Sequence, residues 1–247
     1  LARRFGAIIV GGDVGIRPGP TALTVCALGA PGAKTLRRSN ARPGDDVWLI
    51  GELGLASIGL AILRSNTPTE PWHAYAVSKH LWPEPQVWAG KALAALDARI
   101  AAIDVSDGLG IDAARLAAAS RVRLNLDLGR LPWGNAMPPG GLEGSEFDWR
   151  SAIAAGGDDY ALLVTAPAHL DLAVVLAGSA DSADLAAKDH VWRIGHVAAL
   201  PAESHGADAI DDLVCCSLLG EDISALLGGF LHGSEPRHDG NSAGGLS

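Results

Sequence analysis

Asp104, Ser106 and Asp107 lie together in the run Ala102-Ile-Asp-Val-Ser-Asp-Gly-Leu109, the densest potential chemistry in the sequence. A short apolar stretch ends there in two carboxylates three positions apart. A strand ending at this point delivers Asp104, Ser106 and Asp107 into one tight turn at the start of a helix. Carboxylates held that close repel each other unless positive charge lies between them. A hard cation such as Mg2+ answers that need, because it takes oxygen ligands and accepts carboxylates from a loop. The alternative is helix capping, with Ser106 or Asp107 closing the helix that continues through Ala113, Ala114 and Leu116. The residues alone leave both open.

Three further clusters carry chemistry. In Gly11-Gly12-Asp13, paired glycines let backbone N–H groups approach an anion, and Asp13 could hold a metal on it; a plain Gly-Gly-Asp turn is the other reading. In Gly156-Gly157-Asp158-Asp159-Tyr160, two glycines leave space beside carboxylates that could accept hydrogen bonds from an amine or hydroxyl; the alternative is a turn with solvated acids. Arg38, in Leu36-Arg37-Arg38-Ser39, presents a fixed fork of donors suited to phosphate, or is a solvated surface group. Phe230, in Gly229-Phe230-Leu231-His232, reads by itself as a packing residue near the end of the last element.

The elements that must position these groups alternate along the chain. Ala7 to Val10 and Thr21 to Leu28 read as strands around a Gly/Pro-rich loop, and Val47 to Ile50 as another. Helical spacing predicts helices over Leu55 to Arg64, Pro68 to Leu81 and Trp88 to Leu96. The strand Ala101 to Val105 is followed by a helix, Gly108 to Ala119, and then by the strand Val122 to Leu128. Leu131 to Gly144 reads as loop, Trp149 to Ala155 as helix, Asp159 to Thr165 as strand, Leu170 to Gly178 as helix and Val191 to Ile194 as strand. The uneven spacing favours a mixed α/β layer structure over a doubly wound sheet. Leu1 to Phe5 resembles the last turn of a helix ended by Gly6, so further sequence upstream is expected.

Composition narrows the function classes. Hydrophobic residues make up 48% of the 247, enough for a substantial core. No uninterrupted apolar run is long enough to span a membrane, and no signal peptide is visible at the start, so a cytoplasmic protein that does not enter the membrane is expected. The net charge of -9 argues against non-specific nucleic-acid binding. Three cysteines, Cys26 and the adjacent Cys215-Cys216, do not form a disulfide framework; the vicinal pair reads as half-buried rather than redox-active. No Gly-x-x-x-x-Gly-Lys-Ser/Thr occurs, so a nucleotide would not be held by a P-loop.

Taken in order, Gly11-Gly12-Asp13 with Pro18-Gly19-Pro20, Leu36-Arg37-Arg38-Ser39, Pro43-Gly44-Asp45-Asp46 with Gly51-Glu52-Leu53-Gly54, Asp104-Val105-Ser106-Asp107-Gly108-Leu109, Gly156-Gly157-Asp158-Asp159-Tyr160 and Ile194-Gly195-His196-Val197 resemble one family. It is the thiamine-monophosphate kinases, of the aminoimidazole ribonucleotide synthetase superfamily. Each motif is weak alone, but their order over nearly the whole chain is specific. The resemblance implies an α/β fold of mixed layers: residues 33–232 as the C-terminal α/β domain, 1–32 as terminal strands of an N-terminal ATP-binding domain, and 233–247 as a disordered tail. It implies transfer of the γ-phosphoryl of ATP to the phosphate of thiamine monophosphate, with Mg2+ and in a homodimer. Asp13, Asp104 and Asp107 would be Mg2+ ligands, with Asp104 and Asp107 at the centre of catalysis. Gly12, Asp13, Arg38 and Ser106 would bind the nucleotide; Asp158 would contact the thiamine moiety and Phe230 would pack on its rings.

The sequence departs from that family pattern at Val14 for Thr, at Asp158 for Glu, at Ala161 for the Glu after the Tyr, and at Gly233 for Phe. The family also carries roughly a hundred residues, a domain's worth, ahead of the Gly-Gly-Asp motif. An N-terminally truncated chain is therefore expected. A non-catalytic nucleotide-binding module, half of a split enzyme, or a related ATP-dependent enzyme with another substrate remain as alternatives.

Overall fold

A computed structural model describes residues 2–16, 18–30, 34–65, 70–131, 147–178, 190–200 and 210–228. At its centre is a seven-stranded sheet: β1 (Asp45–Ile50), β2 (Ala101–Val105), β3 (Val122–Asp127), β4 (Ala161–Pro167), β5 (Val191–Ala199), β6 (Val214–Leu218) and β7 (Glu221–Asp222), in the order β2-β4-β1-β5-β3-β6-β7. Neighbours are antiparallel except for the parallel pair β3–β6. The helices are α1 (Leu55–Arg64), α2 (Pro71–Leu81), α3 (Val87–Ala95), α4 (Leu109–Ser120), α5 (Trp149–Ala155), α6 (Leu172–Ala177) and the single turn α7 (Ile210–Leu213).

Strand alternation sorts the core into two layers. From β1, Val47 and Leu49 join one cluster with Leu55 and Ile58 of α1, Leu109 and Leu116 of α4, and Ile153 of α5. Trp48 and Ile50 point the other way and pack with Ala89 and Leu93 of α3 and Leu172 and Leu176 of α6. Every residue of β1 is buried, as a central strand with both faces covered requires. In β3 and β6 only alternate residues are buried. The mixed-layer α/β class expected from the sequence is the fold found.

The entry to β1 is closed by ion pairs. Asp45 is buried and accepts two bonds from the Arg99 guanidinium, at 2.6 and 2.7 Å, and one from the Arg42 N–H at 2.8 Å. Two parallel charge-assisted bonds of this kind offset the cost of burying the carboxylate. Beside it, Asp46 faces Arg193 at 3.3 Å.

Several boundaries differ from expectation. Residues 7–16 and 18–30 form no strand, so Ala7 to Val10 and Thr21 to Leu28 are not strands here. Their apolar side chains are exposed, Ile16 completely and Val10 and Leu28 by more than nine-tenths. A strand needs a neighbour to take its backbone bonds and an apolar surface to cover its face, and the described residues supply neither. The capping box of Glu70 with His73, and a proline at the first helical position, set the start of α2, three residues later than Pro68. β5 runs five residues past Ile194, through Gly195, which pairs opposite both Val47 and Leu126. Most of the expected loop Leu131 to Gly144 and all of the tail 233–247 lie outside the described residues. Ala2–Phe5 is a single 3-10 turn, and Gly6 follows it at φ 71°. Of the cysteines, Cys26 is exposed and Cys215 half-buried; burial pushes the Cys216 thiol up to about 12, which keeps it protonated and unreactive. Among the described residues no helix is long and apolar enough to cross a membrane.

Removing the Arg99 partner strands a buried charge. Arg99→Ala is expected to lower unfolding free energy by about 3 kcal/mol, the low end of the range for breaking a buried pair, since the Arg99 side chain is partly exposed. Urea unfolding measures it, and a loss below about 0.5 kcal/mol, the range of neutral surface changes, refutes the role.

Candidate active site

The Asp104-to-Gly108 turn is held from three sides. β2 delivers it: Asp104 and Val105 pair opposite Leu162 and Ala161 of β4. Ile103 and Val105 face the core, so the intervening Asp104 side chain points out and is exposed. Immediately after the strand, the N–H groups of Ser106 and Asp107 both donate to one carboxylate oxygen of Asp112, at 3.0 and 2.9 Å. Asp112 lies one turn into α4 and is buried. Burial raises its pKa, and the N–H bonds together with Arg115 oppose that shift. Arg115, one turn further on, donates to Asp112 at 2.8 Å and pairs with Asp107 as well.

The capping alternative fails in its simple form. The residue at the N-cap of α4 is Gly108, at φ 122°, and no side chain caps the helix from that position. The turn's N–H groups are satisfied from inside the helix by Asp112, and Asp107 is held by Arg115. A Cβ on Gly108 would sit 2.7 Å from the Ala155 carbonyl oxygen, which closes the position to any other residue.

The third side is the Gly156-to-Tyr160 segment. The Asp158 N–H donates to the Ser106 carbonyl and the Tyr160 N–H to the Val105 carbonyl, both at 2.9 Å. Asp158 and Tyr160 both occupy the left-handed region, at φ 66° and 51°. Non-glycine residues in that region carry strain and persist where surrounding structure enforces it, commonly at functional sites. The expected strand start at Asp159 therefore moves to Ala161. The space beside the paired glycines is also not a ligand's: a Cβ on Gly157 would lie 2.7 Å from the Ser106 carbonyl oxygen, so this glycine lets two backbone segments meet. Between the two strained residues, the Asp159 carboxylate accepts from the Gly54 and Ala56 N–H groups, at 2.6 and 3.0 Å, and so caps α1 from a distant segment. Burial pushes its carboxyl up to about 7, against the lowering effect of the two N–H bonds.

Arg38 reaches the same place by a different route. Arg37 bridges to Ala101 alongside the free edge of β2, and its carbonyl accepts the Ala102 N–H at 3.3 Å. The Ser120 hydroxyl, at the far end of α4, donates to the Arg38 carbonyl at 2.6 Å and accepts the Ala41 N–H at 3.0 Å. The result is a cleft of about 640 Å³ lined by Arg38, Asp104, Ser106, Asp112 and Arg115, among others. Asp112, Arg115 and Ala119 line it from one face of α4, at spacings of three and four residues. Asp107, Asp158 and Tyr160 adjoin: desolvation first, and then Asp158, Asp104 and Asp107, raise the Tyr160 phenol.

Of the residues singled out in the sequence, Arg38, Asp104 and Ser106 share this cleft, with Asp107 and Asp158 beside it. Gly12 and Asp13 do not join them: they sit in the exposed segment 7–16, where Asp13 accepts from the Val14 N–H. Among the described residues no three His, Cys, Asp or Glu side chains converge on a metal position. Phe230 lies outside the described residues. Asp112 and Arg115 are functional residues that the sequence reading missed, and Asp159, one of the carboxylates of the Gly-Gly-Asp-Asp-Tyr motif, accepts its hydrogen bonds from the start of α1 and not from a ligand. The signal for Asp112 and Arg115 was an Asp–Arg pair three apart on the helix just after the turn.

This sheet with its cleft defines a member of the AIR synthase related proteins: residues 42–206 match their C-terminal domain, and the chain belongs to that family. Among the proteins the chain is similar to are thiamine-monophosphate kinases. That of Salmonella typhimurium is 35% identical over 170 residues, covering 68% of this chain and 50% of the relative. The crystal structure of the kinase from Stenotrophomonas maltophilia K279a superposes with a TM-score of 0.55 at 36% identity, over 66% of this chain and 50% of that one. AaThiL complexed with AMPPCP and TMP superposes at 0.57 with 25% identity, over 81% of this chain and 54% of that one. The chain spans about half the length of the curated relatives it matches.

Because the Asp159 pKa is raised in the fold from 3.8 to about 7, the folded state binds the proton more tightly than the unfolded chain does. The stability this contributes is complete below pH 3.8 and is lost as the pH rises through about 7. Wild type minus Asp159→Asn is therefore expected to fall in unfolding free energy between pH 4.5 and pH 8. Urea midpoints at the two pH values test this, and parallel behaviour of the two proteins contradicts it.

Proposed function

We propose that this chain carries the nucleotide cleft and the thiamine-side loop of a thiamine-monophosphate kinase, which passes the γ-phosphoryl of ATP to the phosphate of thiamine monophosphate. The observation that carries this reading is the meeting of Arg38, Asp104 and Ser106 in one cleft, with the strained Asp158 loop bonded to the same turn. The kinship with thiamine-monophosphate kinases supports it.

Phosphoryl transfer calls for positioning and charge neutralisation more than for covalent chemistry from the protein. The cleft suits a polyanion. The Arg38 guanidinium supplies a phosphate-shaped donor fork, and Ser106 adds a hydroxyl at the lip of the turn. The donor set at the turn fits a hard cation. Asp104 is an exposed carboxylate with no hydrogen-bond or ion-pair partner among the described residues, and Asp107 is near it. Mg2+ is commonly held by one or two carboxylates together with substrate phosphates. Asp104 and Asp107 would hold it, with Asp13 as a further ligand and Gly12 as a backbone donor to the nucleotide. The cation would supply neutralisation of charge on the transferring group. Asp158 would meet the cationic thiamine, and Phe230 would pack on its rings.

On this reading residues 33–232 form the C-terminal domain, residues 1–32 belong to an N-terminal ATP-binding domain, and 233–247 form a tail. The working enzyme is a cytoplasmic homodimer. A second reading, a nucleotide-binding half that assembles with a separate chain, draws on the exposed apolar residues Ile8, Ile9, Val10, Leu23, Val25 and Leu28.

The two ligands should separate by mutation. Arg38→Ala is expected to weaken binding of the non-hydrolysable analogue AMPPCP with Mg2+ by about tenfold, the scale of a charge-assisted phosphate bond, and to leave thiamine monophosphate binding unchanged. Asp158→Ala should do the reverse. Calorimetry with each ligand measures both, alongside an assay for thiamine diphosphate formation. Equal effects of either variant on the two ligands would sink the assignment.

A further inference from the structure

Arg115 is not explained by the roles assigned above, yet it has one of the most constrained side chains at the site. One guanidinium nitrogen bonds both Asp112, at 2.8 Å, and Asp107. The side chain is a third exposed and lines the cleft with Arg38 and Ser106. The two carboxylates it joins differ in burial. Asp112 is buried and anchored by two backbone N–H bonds whatever Arg115 does. Asp107 is less deeply buried and lies near Asp104, which has no hydrogen-bond or ion-pair partner among the described residues. A guanidinium has five donors and can let go of one carboxylate while keeping the other.

We infer that Arg115 is the resident counter-ion of the turn: it holds Asp107 until a divalent cation takes that carboxylate, and then, still tethered to Asp112, it turns its freed donors to the nucleotide phosphates in the cleft. This rests on the cation reading of Asp104 and Asp107 given above. The exchange balances charge. Without a cation the guanidinium offsets the repulsion between the Asp104 and Asp107 carboxylates. With a cation at the carboxylates, a positive side chain beside it is repelled from that position and drawn to the anion in the cleft. Arg115 therefore opposes metal binding in the empty cleft and favours nucleotide binding once the metal is there. A purely structural ion pair has neither signature.

The experiment uses the whole chain with two probes: Mn2+ alone, followed by paramagnetic resonance, and AMPPCP in saturating Mn2+, followed by calorimetry. Arg115→Gln is expected to bind Mn2+ about two- to fivefold more tightly than wild type, the scale of a partly exposed ion pair, and AMPPCP about tenfold more weakly. Should Arg115→Gln fail to fold, Arg115→Lys carries the test, with changes in the same two directions and smaller. Asp104→Asn serves as the control for the cation site. Equal Mn2+ affinity in wild type and Arg115→Gln, with Asp104→Asn impaired, overturns the counter-ion role and leaves the cation reading standing. Mn2+ binding unaffected by Asp104→Asn, or no binding in any of the proteins, overturns both.

Discussion

The buried Asp112 carboxylate governs the geometry of this protein's candidate site. It lies on the first turn of α4 and takes the N–H groups of Ser106 and Asp107, which would otherwise be unsatisfied where β2 turns into the helix. That pair of hydrogen bonds folds the turn back over the helix end. The carbonyls on the other side of the turn, of Val105 and Ser106, are thereby left to receive Tyr160 and Asp158. Two segments about fifty residues apart in sequence meet across four backbone groups, and the acidic side chains emerge around the seam.

The same seam connects three parts of the fold. β2 and β4 bring the turn and the strained loop side by side at one end of the sheet. Asp159, placed between two left-handed residues, reaches across to the first turn of α1. Strain at Asp158 and Tyr160 is thus enforced by bonds on either side of each residue. Rigid elements carry the chemistry-bearing side chains, which suits a reaction whose demand is the placement of charge.

Much of this was legible in the sequence, for identifiable reasons. The helices α1, α4 and α5 and the strands β1 and β2 have strong local periodicity and were placed within a residue or two. The motif residues Arg38, Asp104 and Ser106 do line one cleft. What was missed depended on partners distant in sequence. The stretch 195–199 continues β5 because β3 pairs with it along its whole length, a partner about seventy residues away in sequence. β6 pairs in parallel with β3, a contact that no local pattern announces. The apolar runs at 7–10 and 21–28 have strand composition but lack pairing partners among the described residues, and composition cannot supply these. Gly156 and Gly157 invited a ligand, whereas a carbonyl of the chain itself fills the space beside Gly157.

Helix α4 touches the site at both ends. Its first turn binds the Ser106–Asp107 turn through Asp112, and its last residue, Ser120, holds the Arg38 carbonyl. From Asp112 to Ser120 the helix advances eight residues, about 12 Å of rise at about 1.5 Å per residue. The helix is therefore a measuring rod, and the span between the acidic turn and the arginine is written in its residue count. Adding or removing a single residue would change the rise by about 1.5 Å and swing everything beyond by about 100°, taking Ser120 off the segment that it grips. Neutral drift can alter the composition of such a rod, but its length can change only if the strand and the arginine segment are re-registered with it.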